Sequence, residues 1–209
     1  YFYDVGAPDV ARHLAERFGA TTIFGRYSRL VVDLNRMEGQ DDLIAENEYW
    51  GIPLPGNMGL SEADKEKRIH DYYHPYHATI AAHLERLRRL HETPLFFSIH
   101  SYPRHELTVE QPYPWDFACL YNKDNRMARI FMDHIQQAYP DICVGDNQPY
   151  DLREYQTGSI LKHGEANDMP YLVIEICIDR MQTENDIAFW SHLLQECLEK
   201  SISDLLPQS

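Results

Sequence analysis

The sequence is short of basic residues and contains no long apolar run. Lys and Arg number 19 against 33 Asp and Glu, so the 209 residues carry a formal net charge of −14. A surface with this balance repels nucleic acid and anionic membranes. A membrane-spanning helix needs roughly 18 consecutive apolar residues, which no stretch of this chain provides. We therefore expect a protein that binds neither nucleic acid nor a membrane.

The sequence also lacks the cysteine patterns of disulfide-rich or zinc-ribbon proteins. Its four cysteines are Cys119, Cys143, Cys177 and Cys197, and no two of them form a CxxC pair. Isolated cysteines within apolar runs are typical of reduced thiols in a cytosol-like compartment. We also expect no signal peptide. These features together predict a cytoplasmic protein.

The composition and the apolar spacing predict one α/β domain over residues 1–209. Hydrophobic residues make up 44% of the chain and aromatic residues 12%, which suffices for a sizeable core. The pattern predicts a three-layer sandwich, with a mixed, mainly parallel central sheet and helices on both faces. Predicted helices span 7–18, 61–91 (kinked by Pro75), 125–138, 157–164 and 183–205. Predicted strands span 21–24 and 30–34 (an antiparallel pair), 95–102, 142–144 and 171–176, and long connections span 37–60 and 101–122.

His100 ends the short apolar run Leu95–Ile99 and is flanked by Ser98 and Ser101. An apolar run without alternation is typical of a strand buried on both faces. Ligands and catalytic groups of α/β sheets lie at the carboxyl ends of such strands. The position alone leaves three roles open for this histidine, namely a metal ligand, a general base, or a core residue bonded to the backbone.

Glu175 lies inside the second such run, Tyr171–Ile176. Burying an ionised carboxylate costs several kcal/mol unless it is paired or faces a cavity. The position suits a general base that activates a metal-bound water. A buried ion pair with Arg153 or Arg180 is the alternative.

Asn35 and Arg36 follow the predicted strand 30–34. A guanidinium group matches the geometry of a carboxylate. With Arg26 and Arg29 nearby, these residues predict a cationic pocket for an acidic small molecule. His70, His74 and His77 could share one helix face, but the tyrosines of that helix dominate its apolar stripe and argue against a metal site there.

Six blocks of the sequence, taken in order, resemble the N-formylglutamate amidohydrolase family. They are residues 26–36 (RYSRLVVDLNR), 52–57 (IPLPGN), 73–77 (YHPYH), 98–101 (SIHS), 163–165 (HGE) and 174–176 (IEI). Each block is weak evidence, but the ordered set is fairly specific and covers nearly the whole chain.

The resemblance implies a fold similar to that of zinc carboxypeptidases and a role for each unusual residue. His100 would bind zinc or another divalent metal, and Glu175 would activate the metal-bound water. Asn35 and Arg36, with help from Arg26, Arg29 or Arg153, would bind the substrate carboxylate. An early histidine motif of the family is missing and would lie before Tyr1, so we expect this domain to lack its N-terminal strand and a metal ligand. Asp4 matches an acidic family position and is a candidate ligand.

The resemblance thus implies a metal-dependent amidohydrolase of amino-acid degradation that acts on an N-formyl or N-acyl acidic amino acid such as N-formylglutamate. Two alternatives remain. One is a metallo-exopeptidase or deacylase with another carboxylate-bearing substrate. The other is a binding protein that retained the pocket but lost the metal.

Overall fold

The structure is a computed structural model that describes residues 3–105, 110–155 and 158–206. Its helices are α1 (Ala7–Phe18), α2 (Glu62–Arg68), α3 (His74–Leu90), α4 (Arg126–Ala138) and α5 (Glu184–Leu205), with π-helical turns at Ile69–Tyr73 and Ile160–Gly164 and 3-10 turns at Glu165–Asn167 and Ile178–Arg180. Its strands are β1 (Glu48–Tyr49), β2 (Ile52–Pro53), β3 (Phe96–Tyr102), β4 (Phe117–Leu120), β5 (Val144–Asp146) and β6 (Tyr171–Cys177).

The central sheet has four strands in the order β3-β6-β4-β5. The pairs β3–β6 and β4–β5 are parallel, while β4 and β6 are antiparallel. The sheet is therefore mixed and mainly parallel, and the predicted α/β class is confirmed. Strand β6 is buried at every position, as expected of an interior strand of a sheet with both faces covered.

The main core forms where α1, α4 and α5 pack against the sheet. Val10 of α1, Phe131 of α4 and Leu194 of α5 share this core with Phe117 of β4, and each is fully buried. The apolar residues of each helix recur at helical spacing, which gives each one a buried face. In a separate cluster, Ile80 and Leu84 of α3 contact Met169 and Phe96. None of the helices in the described residues is long and apolar enough to cross a membrane.

The predicted antiparallel pair 21–24 and 30–34 is wrong, because neither segment forms a strand. The β-branched residues give both segments a β-strand propensity, but a strand also needs a neighbouring strand to pair with. Asp33 supplies the local reason. Its carboxylate accepts the backbone N–H of Asn35 at 2.9 Å and the guanidinium of Arg29, so the chain closes a turn instead of extending.

Four further features differ from the sequence prediction. The helix predicted over 61–91 is interrupted by the π-helical turn Ile69–Tyr73, just before Pro75, where a proline ring prevents regular helical bonding. The connection 37–60 contains the β1–β2 hairpin, and the connection 101–122 contains β4. Strand β5 begins two residues later than predicted, and position 157 of the predicted helix 157–164 lies outside the described residues.

Candidate active site

A cavity of about 910 Å³ opens beside β3 and is lined by both polar and apolar side chains. Six of the eight site residues predicted from the sequence line it, namely Asp4, Arg29, Asn35, Arg36, His100 and Glu175. The cavity therefore gathers residues from the N-terminus, from the turn that replaces the predicted strand pair, and from two neighbouring strands of the central sheet.

The other two predicted residues, Arg26 and Arg153, are not among the residues that line this cavity. Arg26 lies on the exposed turn. Arg153 is 59% exposed and forms a two-pronged ion pair with the adjacent Asp151, from Nε to Oδ1 at 2.8 Å and from Nη2 to Oδ2 at 2.5 Å. Their assignment to substrate binding stays a prediction from the sequence.

The sheet register places His100 beside Glu175. The two residues are direct neighbours in the parallel β3–β6 pair, and neighbours in register project to the same face of a sheet. Only 9% of Glu175 is exposed. The sequence predicted both residues as unusual members of apolar strands, and the structure brings them together at the wall of one cavity.

The imidazole of His100 is held at both nitrogens. Nε2 lies 2.9 Å from Oγ of Ser98, which is two residues earlier and on the same face of β3. Nδ1 lies 3.5 Å from Oδ1 of Asp4. That same carboxylate oxygen accepts the backbone N–H of Ser101 at 2.9 Å. Asp4 therefore ties the N-terminal segment to the end of β3 and fixes the orientation of the ring.

Asp4 and His100 shift each other's protonation equilibria. Burial by itself lowers the pKa of His100, but the charge and the hydrogen bond of Asp4, with a contribution from Glu175, raise that pKa to about 9. For Asp4, burial raises the pKa, but the charge and hydrogen bond of His100, the backbone N–H of Ser101 and the charge of Arg29 together leave the pKa below its usual value. At neutral pH the pair is thus an imidazolium and a carboxylate.

Arg29 forms the cationic wall of the cavity. Its Nε and Nη2 both donate to Oδ2 of Asp33, at 3.0 and 2.5 Å, and Asp33 is 4% exposed. The guanidinium carbon lies 5.0 Å from the centre of the Tyr49 ring, where a cation–π contact is favourable. Burial lowers the pKa of Arg29, but Asp33, Tyr49 and Asp4 together hold it above its usual value, so this arginine stays charged.

Asn35 and Arg36 follow Asp33 in a tight corner of the backbone. Oδ1 of Asn35 accepts the backbone N–H of Ser159 at 3.3 Å, and within residues 3–105, 110–155 and 158–206 its Nδ2 amide bonds no other group. Arg36 donates from Nε to Asp42 at 2.5 Å, and its side chain is 24% exposed. Its Nη groups retain donors for a carboxylate.

The described residues do not form a complete metal site. No group of three or more His, Cys, Asp or Glu side chains within residues 3–105, 110–155 and 158–206 is arranged to hold a metal ion. A catalytic zinc ion takes three protein ligands and a water. His100 and Asp4 provide one imidazole and one carboxylate at the cavity, which is fewer than such a site needs.

Sequence reasoning did not assign roles to Asp33, Ser98 or Tyr49. The signal for Ser98 was present, because residues two apart on a strand share a face. Asp33 four residues after Arg29 also suggested a local pair. Tyr49 lies in the β1–β2 hairpin, within the predicted connection 37–60, and its local sequence pattern does not indicate a contact with Arg29.

Comparison with known proteins identifies the family of the chain. The sequence model of the family described as N-formylglutamate amidohydrolase matches residues 2–181. N-formylglutamate deformylase of Pseudomonas aeruginosa is 33% identical over 100 residues, which are 44% of this chain and 38% of the relative. The enzyme of the same name from Pseudomonas putida is 29% identical over 114 residues, 47% of this chain and 42% of that one. The matched region thus spans about two fifths of these curated relatives.

Two solved structures share the fold. A gene product of Agrobacterium tumefaciens superposes with a TM-score of 0.89 at 26% identity, over 98% of this chain and 79% of that one. N-formylglutamate amidohydrolase from Ralstonia eutropha superposes with a TM-score of 0.62 at 19% identity, over 83% of this chain and 73% of that one. Because the family model matches most of the sequence, the chain belongs to the N-formylglutamate amidohydrolase family.

Proposed function

We propose that the protein hydrolyses the amide bond of an N-formyl or other N-acyl acidic amino acid, with N-formylglutamate as the first candidate substrate. One observation carries the proposal: Glu175 lies beside His100 in a cavity whose wall also holds Arg29 and Arg36. A nearly buried carboxylate and cationic groups in one cavity supply a general base and a binding site for an acidic substrate. Family membership and the names of the curated relatives support the choice of the formyl group.

Arg36 and Asn35 bind a carboxylate of the substrate in this proposal. The Nη groups of Arg36 and the Nδ2 amide of Asn35 are hydrogen-bond donors on residues that line the cavity, and a charge-assisted bond from the guanidinium is stronger than a neutral one. Arg29 is more deeply engaged with Asp33. Its role is to balance the charge of Asp4 and Glu175 and to attract the anionic substrate into the cavity.

Glu175 acts as the general base. It takes a proton from the attacking water as the water oxygen bonds to the acyl carbon, and it returns that proton to the amide nitrogen as the carbon–nitrogen bond breaks. The products are formate and the free amino acid.

We also propose that activity depends on a divalent metal, with zinc as the first candidate, and that His100 and Asp4 contribute ligands. A bound zinc ion would polarise the acyl oxygen and lower the pKa of its water. Because a metal ligand must be deprotonated, zinc binding would release the His100 proton. Elemental analysis after zinc addition and dialysis tests this: about one zinc per chain is expected, and a folded protein that retains no zinc contradicts it.

Glu175→Gln tests the assignment of the base. The amide keeps the volume of the carboxylate but cannot accept the proton, so we expect kcat for N-formylglutamate to fall about 10²- to 10⁴-fold with little change in KM. Glu184→Gln on the exposed first turn of α5 is the matched control and should retain wild-type turnover. Unimpaired turnover by Glu175→Gln at saturating substrate would refute the role. Glutamate binding without any turnover by the wild type would instead indicate a non-catalytic binding protein.

A further inference from the structure

Two buried histidines behind the cavity form a direct contact that the proposed chemistry does not use. His77 of α3 and His163 of the π-helical turn Ile160–Gly164 are 5% and 3% exposed. Nδ1 of His77 lies 2.8 Å from Nε2 of His163, and the rings stack with centroids 5.1 Å apart. Buried polar groups need hydrogen-bond partners, and the contacts of the two rings identify these partners.

The contacts fix where the protons lie. Nε2 of His77 lies 3.0 Å from the carbonyl oxygen of Leu34, and a carbonyl only accepts, so this nitrogen carries a hydrogen. Nδ1 of a neutral His77 is then an acceptor, and Nε2 of His163 must donate to it. Burial and the nearby charge of Lys162 lower the pKa of both rings to about 4, which keeps both neutral at physiological pH.

The carbonyl of Leu34 is the first of three consecutive carbonyls that accept hydrogen bonds from other elements. The carbonyl of Asn35 accepts the backbone N–H of Gly158 at 3.0 Å. The carbonyl of Arg36 accepts the hydroxyl of Tyr73 at 2.8 Å. This three-residue segment, 34–36, is the corner that presents the Asn35 and Arg36 side chains to the cavity.

We propose that His77 and His163 are positioning residues that lock the corner 34–36, so that Asn35 and Arg36 meet the substrate carboxylate in a fixed geometry. The inference rests on the proposed function, because it concerns how that carboxylate is bound. The chain of bonds runs from His163 through His77 to Leu34, one residue from Asn35. A misplacement of about 1 Å at a binding group is enough to cost a large factor in rate or affinity.

A metal site at this pair is not supported by its geometry. The nitrogen–nitrogen distance is that of a hydrogen bond, and the other ring nitrogen of His77 already bonds a carbonyl. No third metal-binding side chain joins the two rings within the part of the chain that the structure describes.

Two substitutions of His77 separate positioning from a general packing role. His77→Phe keeps an aromatic ring but removes the donor to Leu34, whereas His77→Gln keeps an amide donor near the position of Nε2. His70→Phe is the control, because the His70 side chain is 82% exposed on the π-helical turn Ile69–Tyr73 that precedes α3. The readout is the Kd of glutamate by calorimetry, together with KM and kcat for N-formylglutamate. The same constants are measured for two amide analogues, one that lacks the side-chain carboxylate and one that lacks the α-carboxylate.

We expect His77→Phe to weaken glutamate binding and to raise KM for N-formylglutamate about tenfold, with kcat within about threefold. The analogue that lacks the carboxylate bound by Asn35 and Arg36 should be little affected. His77→Gln should recover most of the affinity, and His70→Phe should match the wild type. Equal losses for N-formylglutamate and both amide analogues, or no recovery with Gln, would overturn the positioning role.

Nitrogen-15 NMR of the wild-type histidines tests the same inference without any variant. Both rings should be neutral, with the hydrogen on Nε2, and a protonated ring or an Nδ1–H form for either residue would overturn it. Failure of the proposed function is distinguishable, since it would appear as glutamate binding without hydrolysis. Failure of the inference would appear as glutamate binding that His77→Phe leaves unchanged.

Discussion

Gly158→Ala should disturb the substrate-binding corner through a single methyl group. A Cβ atom at position 158 would lie 2.4 Å from the carbonyl oxygen and 2.8 Å from the carbonyl carbon of Arg36. Ordinary van der Waals contact begins near 3.4 Å, so the two backbones must separate by about 1 Å. Because both neighbours are backbone, no flexible side chain can move aside, and the hydrogen bond from Gly158 to the Asn35 carbonyl must lengthen from its 3.0 Å.

The expected loss of stability in Gly158→Ala has two contributions. Overpacking of a tight contact costs about 1–3 kcal/mol, and a weakened backbone hydrogen bond adds about 1 kcal/mol. For a chain of this length 1 kcal/mol lowers Tm by about 2–4 °C, so a fall of roughly 4–16 °C is expected. Since the corner carries Asn35 and Arg36, KM for N-formylglutamate should also rise about tenfold.

Thermal unfolding and steady-state kinetics measure the fall in Tm and the rise in KM on the same preparation. Gly56→Ala is the matched control, because a Cβ at position 56 meets nothing within 4 Å. It should change stability by less than about 0.5 kcal/mol. If Gly158→Ala behaved like Gly56→Ala in both stability and KM, the close approach to Arg36 would not constrain the site and the reasoning would be refuted.

Three further predictions address the charges and the frame of the site. The pKa of His100 is higher in the folded protein than in the unfolded chain, so protonation of His100 favours folding. The Asp4–His100 pair therefore stabilises the fold fully below the unfolded pKa of about 6.5. This contribution is lost as the pH rises through about 9. Asp4→Asn should therefore lower the His100 pKa in an NMR titration and remove that fall in stability, and an unchanged pKa would contradict the pairing. Arg36→Lys should raise KM for N-formylglutamate about 10- to 100-fold, because an ammonium cannot replace two guanidinium donors, whereas Arg126→Lys on the exposed start of α4 should not. Thr183→Ala removes the capping box of α5 and should cost about 1 kcal/mol in urea unfolding without altering KM; no loss of stability would contradict the cap.

The sequence predicted the parts of the fold that depend on one strong local signal. The apolar spacing of α1, α4 and α5 appears in the structure as buried helix faces, and the uninterrupted apolar runs of β3 and β6 appear as adjacent strands. It could not predict β4, because its four residues follow a proline-rich connection and are too few to show a period. The segment 30–34 has strand propensity, yet the carboxylate of Asp33 turns it into a corner.

The candidate site was predictable where an ionisable residue lies in an apolar strand. His100 and Glu175 were unusual within apolar strands, and the register of β3 with β6 makes them neighbours. The proximity of Asp4 to His100 depends on a contact 96 positions apart along the chain, which local patterns do not contain. The His77–His163 pair is invisible for the same reason, since the two rings lie 86 residues apart.

Formate release from N-formylglutamate by the purified, zinc-supplied protein tests the central claim most directly. The reaction can be followed by proton NMR, with Glu175→Gln measured in parallel. The account predicts that formate and glutamate appear in equal amounts with the wild type and at least 100-fold more slowly with the variant. A folded wild-type protein that releases no formate, or a variant that releases it at the wild-type rate, would contradict the account.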